Sequence, residues 1–332
     1  MFTYTIEIKN VAPSDGAADY DAIASLWDSV GKFFTDYKLS TENGYNKITV
    51  DVQHIRETLL HLKPENCDEY FSNLMTENNC LSGEDFYNLS PLGATLRIHT
   101  DDKNINIDRF LQQFFLAMNL SHCGSCNLID YTIIKDGPFS FIRTSTKLTS
   151  SIFDDALAIN RNNKWPQIQE LDFSGVWKWL EEQDLRTILL AKTPAQKACA
   201  MLVKLSLSEL HYAELLLAIT QVLESVLLKN SESKSYNLGI KIEAILGQNP
   251  NKKNWVKKMY NIRSSIIHGE HDMLWPYELP DLSSDSEEEQ HIDEINESFE
   301  LGASTVVALV QDLIQAGKIK YNFTNKLHVE KI

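Results

Sequence analysis

The chain has 332 residues, of which 43% are hydrophobic, and it carries a formal net charge of −15 at pH 7. This length is typical of one large domain or two ordinary ones, and the acidic balance argues against broad, non-specific nucleic-acid binding while leaving room for a local basic site. No apolar run approaches the ~20 residues that span a bilayer, and the N-terminus lacks the pattern of a signal peptide. We therefore expect a cytoplasmic protein with no membrane partner.

The first half of the chain mixes predicted strands with predicted helices. Alternating apolar and polar residues indicate strands, whereas apolar residues at three- and four-residue spacing indicate helices. The predicted strands cover residues 1–9, 47–53, 94–99, 128–135 and 138–143, with Asp136-Gly137 as a hairpin turn between the last two. The predicted helices cover residues 19–37, 106–119 and, interrupted near Pro64, most of 54–80. Residues 1–165 are thus predicted to form an α+β domain with its own core.

The second half of the chain is predicted to be all-α. Residues 147–166 are polar and poorly periodic, so we place the domain boundary there, between 1–165 and 166–332. Predicted helices start at Phe173 and at Thr193-Pro194, a cap followed by a first-turn proline, and others cover residues 206–228, 238–246, 255–268 and 299–316. The acidic residues 276–298 are interpreted as an exposed loop, with a loop that shields a cleft as the alternative.

The cysteines and tryptophans give weaker patterns. Five cysteines, a small and odd number, suit a reducing compartment better than a disulfide framework. Cys123 and Cys126 form an isolated C-x-x-C pair, and we favour two unpaired cysteines near a turn over a zinc site. The two further zinc ligands would have to come from Cys67 or Cys80 together with His99 or His122. The tryptophans that could stack on bases are interpreted as core residues, namely Trp165, Trp177 and Trp179.

Residues 255–269 carry the most specific chemical pattern. They predict an amphipathic helix that ends at Gly269, because glycine enters the left-handed C-cap conformation at little cost. The helix bears Arg263, a permanent cation, and His268, whose imidazole can titrate near neutral pH. Five residues separate the two, which gives an axial offset of about 7.5 Å and different sides of the helix. Joint action therefore needs local unwinding of the helix or a second copy of it.

The surroundings of this pair resemble the HEPN superfamily, and within it the Apea-like branch. The hallmark helix of that branch reads tyrosine, two residues, Arg-Ser, three residues and His-Gly, and it is matched here by Tyr260, Arg263-Ser264 and His268-Gly269. The resemblance covers roughly residues 203–316, including an earlier helix that carries Leu223-Glu224-Ser225. Arg56 and His61 repeat the spacing by chance, without a basic run before them or a capping glycine after them.

The resemblance implies that the all-α second half is a HEPN-like helical bundle, and it says nothing about residues 1–165; the predicted fold is therefore an α+β N-terminal domain followed by an all-α HEPN-like helical bundle. HEPN bundles usually pair two-fold and bring two Arg-x4–6-His motifs into one cleft, and competent members are metal-independent endoribonucleases, many of them toxins or effectors of antiviral defence in bacteria. It implies RNA as partner, a homodimer, no metal and no cofactor. It further implies that Arg263 and His268 are catalytic and that Ser264, Lys257, Lys258 and Tyr260 support them or bind RNA.

Two features of the motif depart from the nuclease members of the family. Ser264 stands where many carry asparagine, aspartate or histidine, although the Apea-like branch often has serine. Glu270 stands where antitoxin-regulated members carry a tyrosine, so control by modification of that tyrosine is not expected. The main hypothesis is an RNase effector whose N-terminal domain senses a protein or phage trigger or guides RNA. The alternative is a non-catalytic dimerisation or RNA-binding module that serves as a scaffold or regulatory subunit, with His268 favouring the helix dipole and Arg263 as a surface charge.

Overall fold

The structure, a computed structural model, describes residues 2–10, 19–41, 44–53, 55–56, 59, 94–100, 105–136, 140–144, 148–207, 212–228, 234–270 and 287–323. Most of the helix predicted at 54–80 and the turn residue Gly137 lie outside the described residues, as do Cys67 and Cys80. No described helix is both long and apolar enough to cross a membrane.

The N-terminal half is built on a small antiparallel sheet. The strands are β1 (Phe2–Asn10), β2 (Lys38–Thr41), β3 (Gly44–Lys47), β4 (Ala94–Thr100), β5 (Ile129–Asp136) and β6 (Phe141–Thr144). Four of them pair in the order β4-β1-β5-β6, and β2 pairs separately with β3. In the register of the larger sheet, Ile6 lies opposite both Leu96 and Ile133, and all three side chains are buried. The alternation in the sequence therefore identifies the face that packs on the core.

One predicted strand is only partly formed. Residues 47–53 were expected to be a strand, but β3 ends at Lys47, and beyond it only Val50 forms a bridge, to Ile98. The backbone N–H of Gln53 donates to the Asp51 carboxylate. Such a local bond from an aspartate competes with strand pairing and favours a turn.

Nine helices are present in the described part of the chain. They are α1 (Tyr20–Asp36), α2 (Ile107–Ser121), α3 (Ser151–Asn163), α4 (Phe173–Glu182), α5 (Pro194–Ser206), α6 (Tyr212–Leu227), α7 (Lys234–Leu246), α8 (Trp255–His268) and α9 (Glu287–Ala316). Local caps set several starts: Asp19, Asn106 and Asp172 each accept from a backbone N–H of the first turn. The predicted start at Thr193 is confirmed, with a capping box completed by Gln196.

An aromatic cluster joins the two halves of the chain. Trp27 and Phe34 on α1, Phe110 on α2 and Trp177 on α4 are all fully buried. The rings of Phe34 and Trp177 meet edge to face with centroids 5.0 Å apart. The sheet, α1 and α2 therefore do not form a separate core, but share one with the helices that follow. The three tryptophans predicted to lie in the core are buried as expected: Trp165, Trp177 and Trp179.

The polar stretch chosen as the domain boundary is largely a helix. Within residues 147–166 the chain forms α3, which packs against α9. Ile152, Phe153 and Ala156 are buried on the packed face. Three apolar positions are too few to show a clear helical periodicity in the sequence. They are nevertheless enough to pack α3 against the longer helix α9. Helical packing thus begins before Pro166, and the division into two functional domains stays a prediction.

The interpretation of residues 276–298 as an acidic loop is wrong for its second part. Helix α9 starts at Glu287, well before the predicted start at Phe299. Ile295 and Phe299 are buried at a four-residue spacing, which holds the early turns of α9 on the bundle. Carboxylates in the first turns of a helix also interact favourably with its dipole. Residues 276–286 lie outside the described part of the chain.

Candidate functional site

Helix α8 is anchored at its start and exposed at its end. Trp255, Val256 and Met259 are buried, and the Trp255 ring meets that of Trp165 with centroids 5.7 Å apart. The predicted C-cap is confirmed, since Gly269 has a φ of 71° and Glu270 donates its backbone N–H to the Ser265 carbonyl. The later turns of the helix, which carry the Arg-x4-His pattern, therefore project from a fixed base.

Arg263 lies against helix α6. Its Nη2 atom is 3.8 Å from Oε1 of Glu224, and its side chain is only 28% exposed. The Tyr260 hydroxyl donates to the same carboxylate oxygen at 2.8 Å, and the Arg263 guanidinium lies 5.7 Å from the Tyr260 ring centroid. Burial, reinforced by the bond to Glu224, raises the pKa of Tyr260 well above its usual value. The hydroxyl therefore stays protonated, and Glu224 holds both side chains of α8 in place.

Glu224 is a site residue that the sequence pattern around Arg263 and His268 does not include. It stands on the most apolar of the described helices, between Leu223 and the buried pair Val226 and Leu227. A carboxylate among apolar residues needs a partner when it is buried, and this was the signal in the sequence. Its partner could not be read from spacing, because Glu224 and Arg263 are on different helices.

His268 and Ser264 face solvent. Both are exposed, and neither side chain has a hydrogen bond or an ion pair to any described residue. The neighbouring Ile267 is also 52% exposed. Among the described residues no hydrogen bond joins Arg263 to His268: Arg263 lies against α6, while His268 is exposed at the end of the helix.

The lysines predicted to bind RNA differ in their surroundings. Lys258 lies 3.2 Å from Glu294 and 3.6 Å from Glu297, both on α9, so its charge is largely neutralised. Lys252 also pairs with Glu297. Lys257 is exposed and has no ion pair among the described residues, which leaves it as the better candidate for a phosphate contact.

A cavity of about 390 Å³ opens beside these ion pairs and is lined by Lys252, Trp255, Lys258 and Glu297 among others. It lies at the start of α8. The fourteen residues from Trp255 to His268 correspond to about 20 Å of helix, so this cavity is not part of the surroundings of His268. A substrate that meets His268 would bind on an open surface of one chain.

The C-x-x-C pair belongs to the core of the described structure. Cys123 and Cys126 are buried free thiols, and burial raises the pKa of both well above the usual value. His99 lies within hydrogen-bond distance of Thr3, and His122 lies 3.5 Å from Glu170. Across the described ranges no group of three or more histidine, cysteine or carboxylate side chains is arranged to hold a metal ion.

The arrangement offers two separate chemical groups. A guanidinium held by a carboxylate can bind a phosphate in a fixed orientation, because its planar fork matches two phosphate oxygens. An exposed imidazole can accept or donate a proton near neutral pH. Comparisons with family models, with curated proteins and with solved structures found no match for this chain.

Proposed function

We propose that the protein is a metal-independent endoribonuclease of HEPN type, which acts as a homodimer in the cytoplasm and serves as a toxin or as an effector of antiviral defence. The observation that carries the proposal is the presence on α8 of an oriented cation and an exposed imidazole. Arg263 is fixed by Glu224, and His268 lies exposed at the helix end before Gly269. Nothing in this reaction requires a metal, since the two side chains supply charge stabilisation and proton transfer.

The proposed reaction uses the 2′-hydroxyl of RNA as the nucleophile. The His268 imidazole takes the 2′-hydroxyl proton, the 2′-oxygen bonds to phosphorus, and the bond from phosphorus to the 5′-oxygen breaks. The leaving 5′-oxygen receives a proton from water or from the imidazolium. Arg263 stabilises the negative charge that builds on the phosphoryl oxygens. The products are a 2′,3′-cyclic phosphate and a 5′-hydroxyl.

A second copy of the chain is part of the proposal. Arg263 and His268 point to different sides of one helix, so a shared cleft needs the Arg263 of one protomer near the His268 of the other. Apolar side chains remain exposed on α7 and at the end of α8, and these two helices contact each other. Exposed apolar side chains that lie together often mark a surface that a second copy of the chain covers in a dimer. Here these side chains are Tyr236, Ile240 and Ile267.

The decisive test is RNA cleavage in the presence of EDTA by four proteins: wild type, His268→Ala, Arg263→Lys and the control Lys178→Ala, which alters an exposed lysine on α4. We expect His268→Ala to lower the cleavage rate by about 10²- to 10⁴-fold, the usual contribution of a general base. Arg263→Lys keeps the charge but loses the fork, and we expect a loss of about tenfold or more. The control should match wild type.

Because an effector can be silent until it is triggered, the assay is paired with growth of cells that overexpress each protein. Toxicity of wild type and of Lys178→Ala, lost in His268→Ala, supports the proposal. Equal growth of all strains, together with no cleavage of total cellular RNA by wild type, contradicts it. Cleavage that EDTA abolishes also contradicts it, because the proposed chemistry contains no metal.

The second candidate function is a non-catalytic dimerisation or RNA-binding module. It is favoured by the ion pair between Arg263 and Glu224, because such a pair also serves simply to join α6 and α8. In that case Arg263→Lys does not change the rate of any RNA cleavage that the purified protein shows. Instead, the variant binds RNA more weakly or forms a weaker dimer. The same four proteins, examined by RNA binding and by sedimentation, separate the two functions.

A further inference from the structure

A second cavity lies far from α8 in the chain, where the two halves meet. It has a volume of about 180 Å³ and is enclosed by one face of α2, the connection between α4 and α5, and one face of α5. Leu116, Leu185, Ile188 and Val203 contribute apolar walls. Since α2 belongs to the N-terminal half and α5 to the helical half, a molecule bound here would contact both.

The cavity contains a buried side chain whose polar atoms are unused. Gln113 lines it and is 1% exposed, and neither its amide nitrogen nor its amide oxygen has a hydrogen-bond partner in the part of the chain that the structure describes. Leaving one buried polar group unpaired costs about 1–3 kcal/mol, and here a donor and an acceptor are both unpaired. An amide placed in this way is suited to a ligand that offers an acceptor and a donor side by side.

A cation stands one helical turn away on the same face. Arg109 precedes Gln113 by four residues, so the two side chains are neighbours about 6 Å apart along α2. The carboxylate next in sequence, Asp108, is already taken by Arg143. The half-buried Arg109 guanidinium has no partner among the described residues. A guanidinium at the wall of a cavity can bind an anionic ligand, and its planar fork of N–H donors matches the oxygens of a phosphate.

We propose that this cavity is a binding site for a mononucleotide, with the Gln113 amide reading the base and Arg109 binding the phosphate. Adenine is the base whose edge best matches a carboxamide, because glutamine can bond to its N6 and N7 atoms together. The volume of about 180 Å³ is below the ~300–1,000 Å³ of pockets that enclose a whole drug-sized ligand, so the base would lie in the cavity and the ribose and phosphate at its rim. The apolar walls would contact the faces of the base.

The rim of the cavity is consistent with a ligand that completes it. Leu189 lines the opening and is 92% exposed, an unusual position for a leucine beside a partly empty cavity. A bound base would give this side chain an apolar surface to cover. The site uses no residue of α8, so the inference does not depend on the ribonuclease activity.

The test is isothermal titration calorimetry of the full chain with adenosine monophosphate, the other three nucleoside monophosphates, adenosine and inorganic phosphate. We expect adenosine monophosphate to bind more tightly than each of the others. Gln113→Leu, which removes both polar atoms at similar volume, and Arg109→Gln should each weaken it by about tenfold or more. Lys178→Gln, a change on the exposed face of α4, is the matched control and should bind as wild type does.

A further variant guards against a folding artefact. Ala200 lies at the exposed edge of the cavity, so Ala200→Phe should fill the cavity and abolish binding without disturbing the core. Binding that is weakened in Gln113→Leu and Arg109→Gln and lost in Ala200→Phe, each with a wild-type unfolding temperature or a higher one, supports the proposal. No binding by wild type up to millimolar nucleotide overturns it. The proposal is also overturned if the variants bind the nucleotide as wild type does, or if inorganic phosphate binds as tightly as the nucleotide.

Discussion

At the scale of single residues, Asp155 on α3 carries a carboxyl group whose ionisation opposes folding. Burial raises the pKa of Asp155 to about 7, and the nearby carboxylates of Glu300 and Asp154 add to the effect. In the unfolded chain the group would titrate near its ordinary value of about 3.9. The folded protein therefore holds more protons between about pH 4 and about pH 7, and its stability falls as the pH rises through that window.

We predict that Asp155→Asn stabilises the protein above about pH 7 and has little effect below about pH 4. The gain at high pH should be on the order of 1–2 kcal/mol, after allowance for screening by solvent. Urea unfolding of the variant and of wild type at about pH 5 and about pH 8 measures it. Glu243→Gln, on the exposed face of α7, is the control. An equal difference between Asp155→Asn and wild type at both pH values would contradict the prediction.

The site shows what single residues reveal in a sequence and what they do not. Gly269, Arg263 and His268 were recognisable because a helix, its cap and the spacing are local properties. Glu224 was not, since its role depends on contact with a helix that follows much later in the chain. Lys258 was assigned to RNA on its charge alone, but the charge is already matched by Glu294 and Glu297. Non-local ion pairs of this kind leave no spacing rule.

At the scale of elements, a glycine of α9 lies where three helices of the bundle approach closely. A β-carbon at Gly302 would lie 2.6 Å from Cγ2 of Ile219 on α6 and 3.5 Å from the sulfur of Met259 on α8. Ile219 is fully buried, and a β-branched side chain has little freedom to move aside. Gly302 therefore sets how closely α6, α8 and α9 approach, and with it the position of the base of α8.

We predict that Gly302→Ala destabilises the protein by about 1–3 kcal/mol, the usual cost of an extra carbon in a packed core. Gly239→Ala is the matched control, because a β-carbon there meets nothing within 4 Å in helix α7. That change should stabilise by about 0.5–1 kcal/mol through helix propensity. Thermal or urea unfolding gives both values. If the two alanine variants behave alike, the close approach at Gly302 does not limit the packing.

The elements themselves were largely predictable, with failures that share a cause. Strong periods and caps gave α1, α2, α5 and α8 nearly to their ends, because local signals determined them. Helix α3 and the early turns of α9 were missed, because each buries only a few apolar side chains and is otherwise polar. Helix α3 depends on packing against α9, and the early turns of α9 depend on the burial of Ile295 and on Lys252 and Lys258 opposite its carboxylates. Tertiary contacts decide such segments.

At the scale of the whole molecule, the two halves are connected by packing as well as by chain. The aromatic cluster of α1, α2 and α4 crosses the predicted boundary, and the buried Gln311 of α9 donates to the Leu120 carbonyl at the end of α2. A ligand between α2 and α5 would therefore act on a continuous core. The sequence could not show this, because the periodicity of each half describes only its own faces.

The proposed active site is itself a property of two molecules, and this gives its sharpest prediction. Arg263→Ala and His268→Ala chains, each inactive alone, are co-expressed with different affinity tags, and the mixed dimers are isolated by two purifications. One chain of each mixed dimer retains Arg263 and the other retains His268, so one of the two sites is intact. We expect about half of the wild-type cleavage rate, as two-fold symmetry requires.

Dimers of the double variant Arg263→Ala/His268→Ala with wild type control for the purification. Each of their two sites lacks either Arg263 or His268, so these dimers should be inactive. If isolated mixed dimers of the single variants do not cleave RNA that wild type cleaves, then Arg263 and His268 do not meet between protomers.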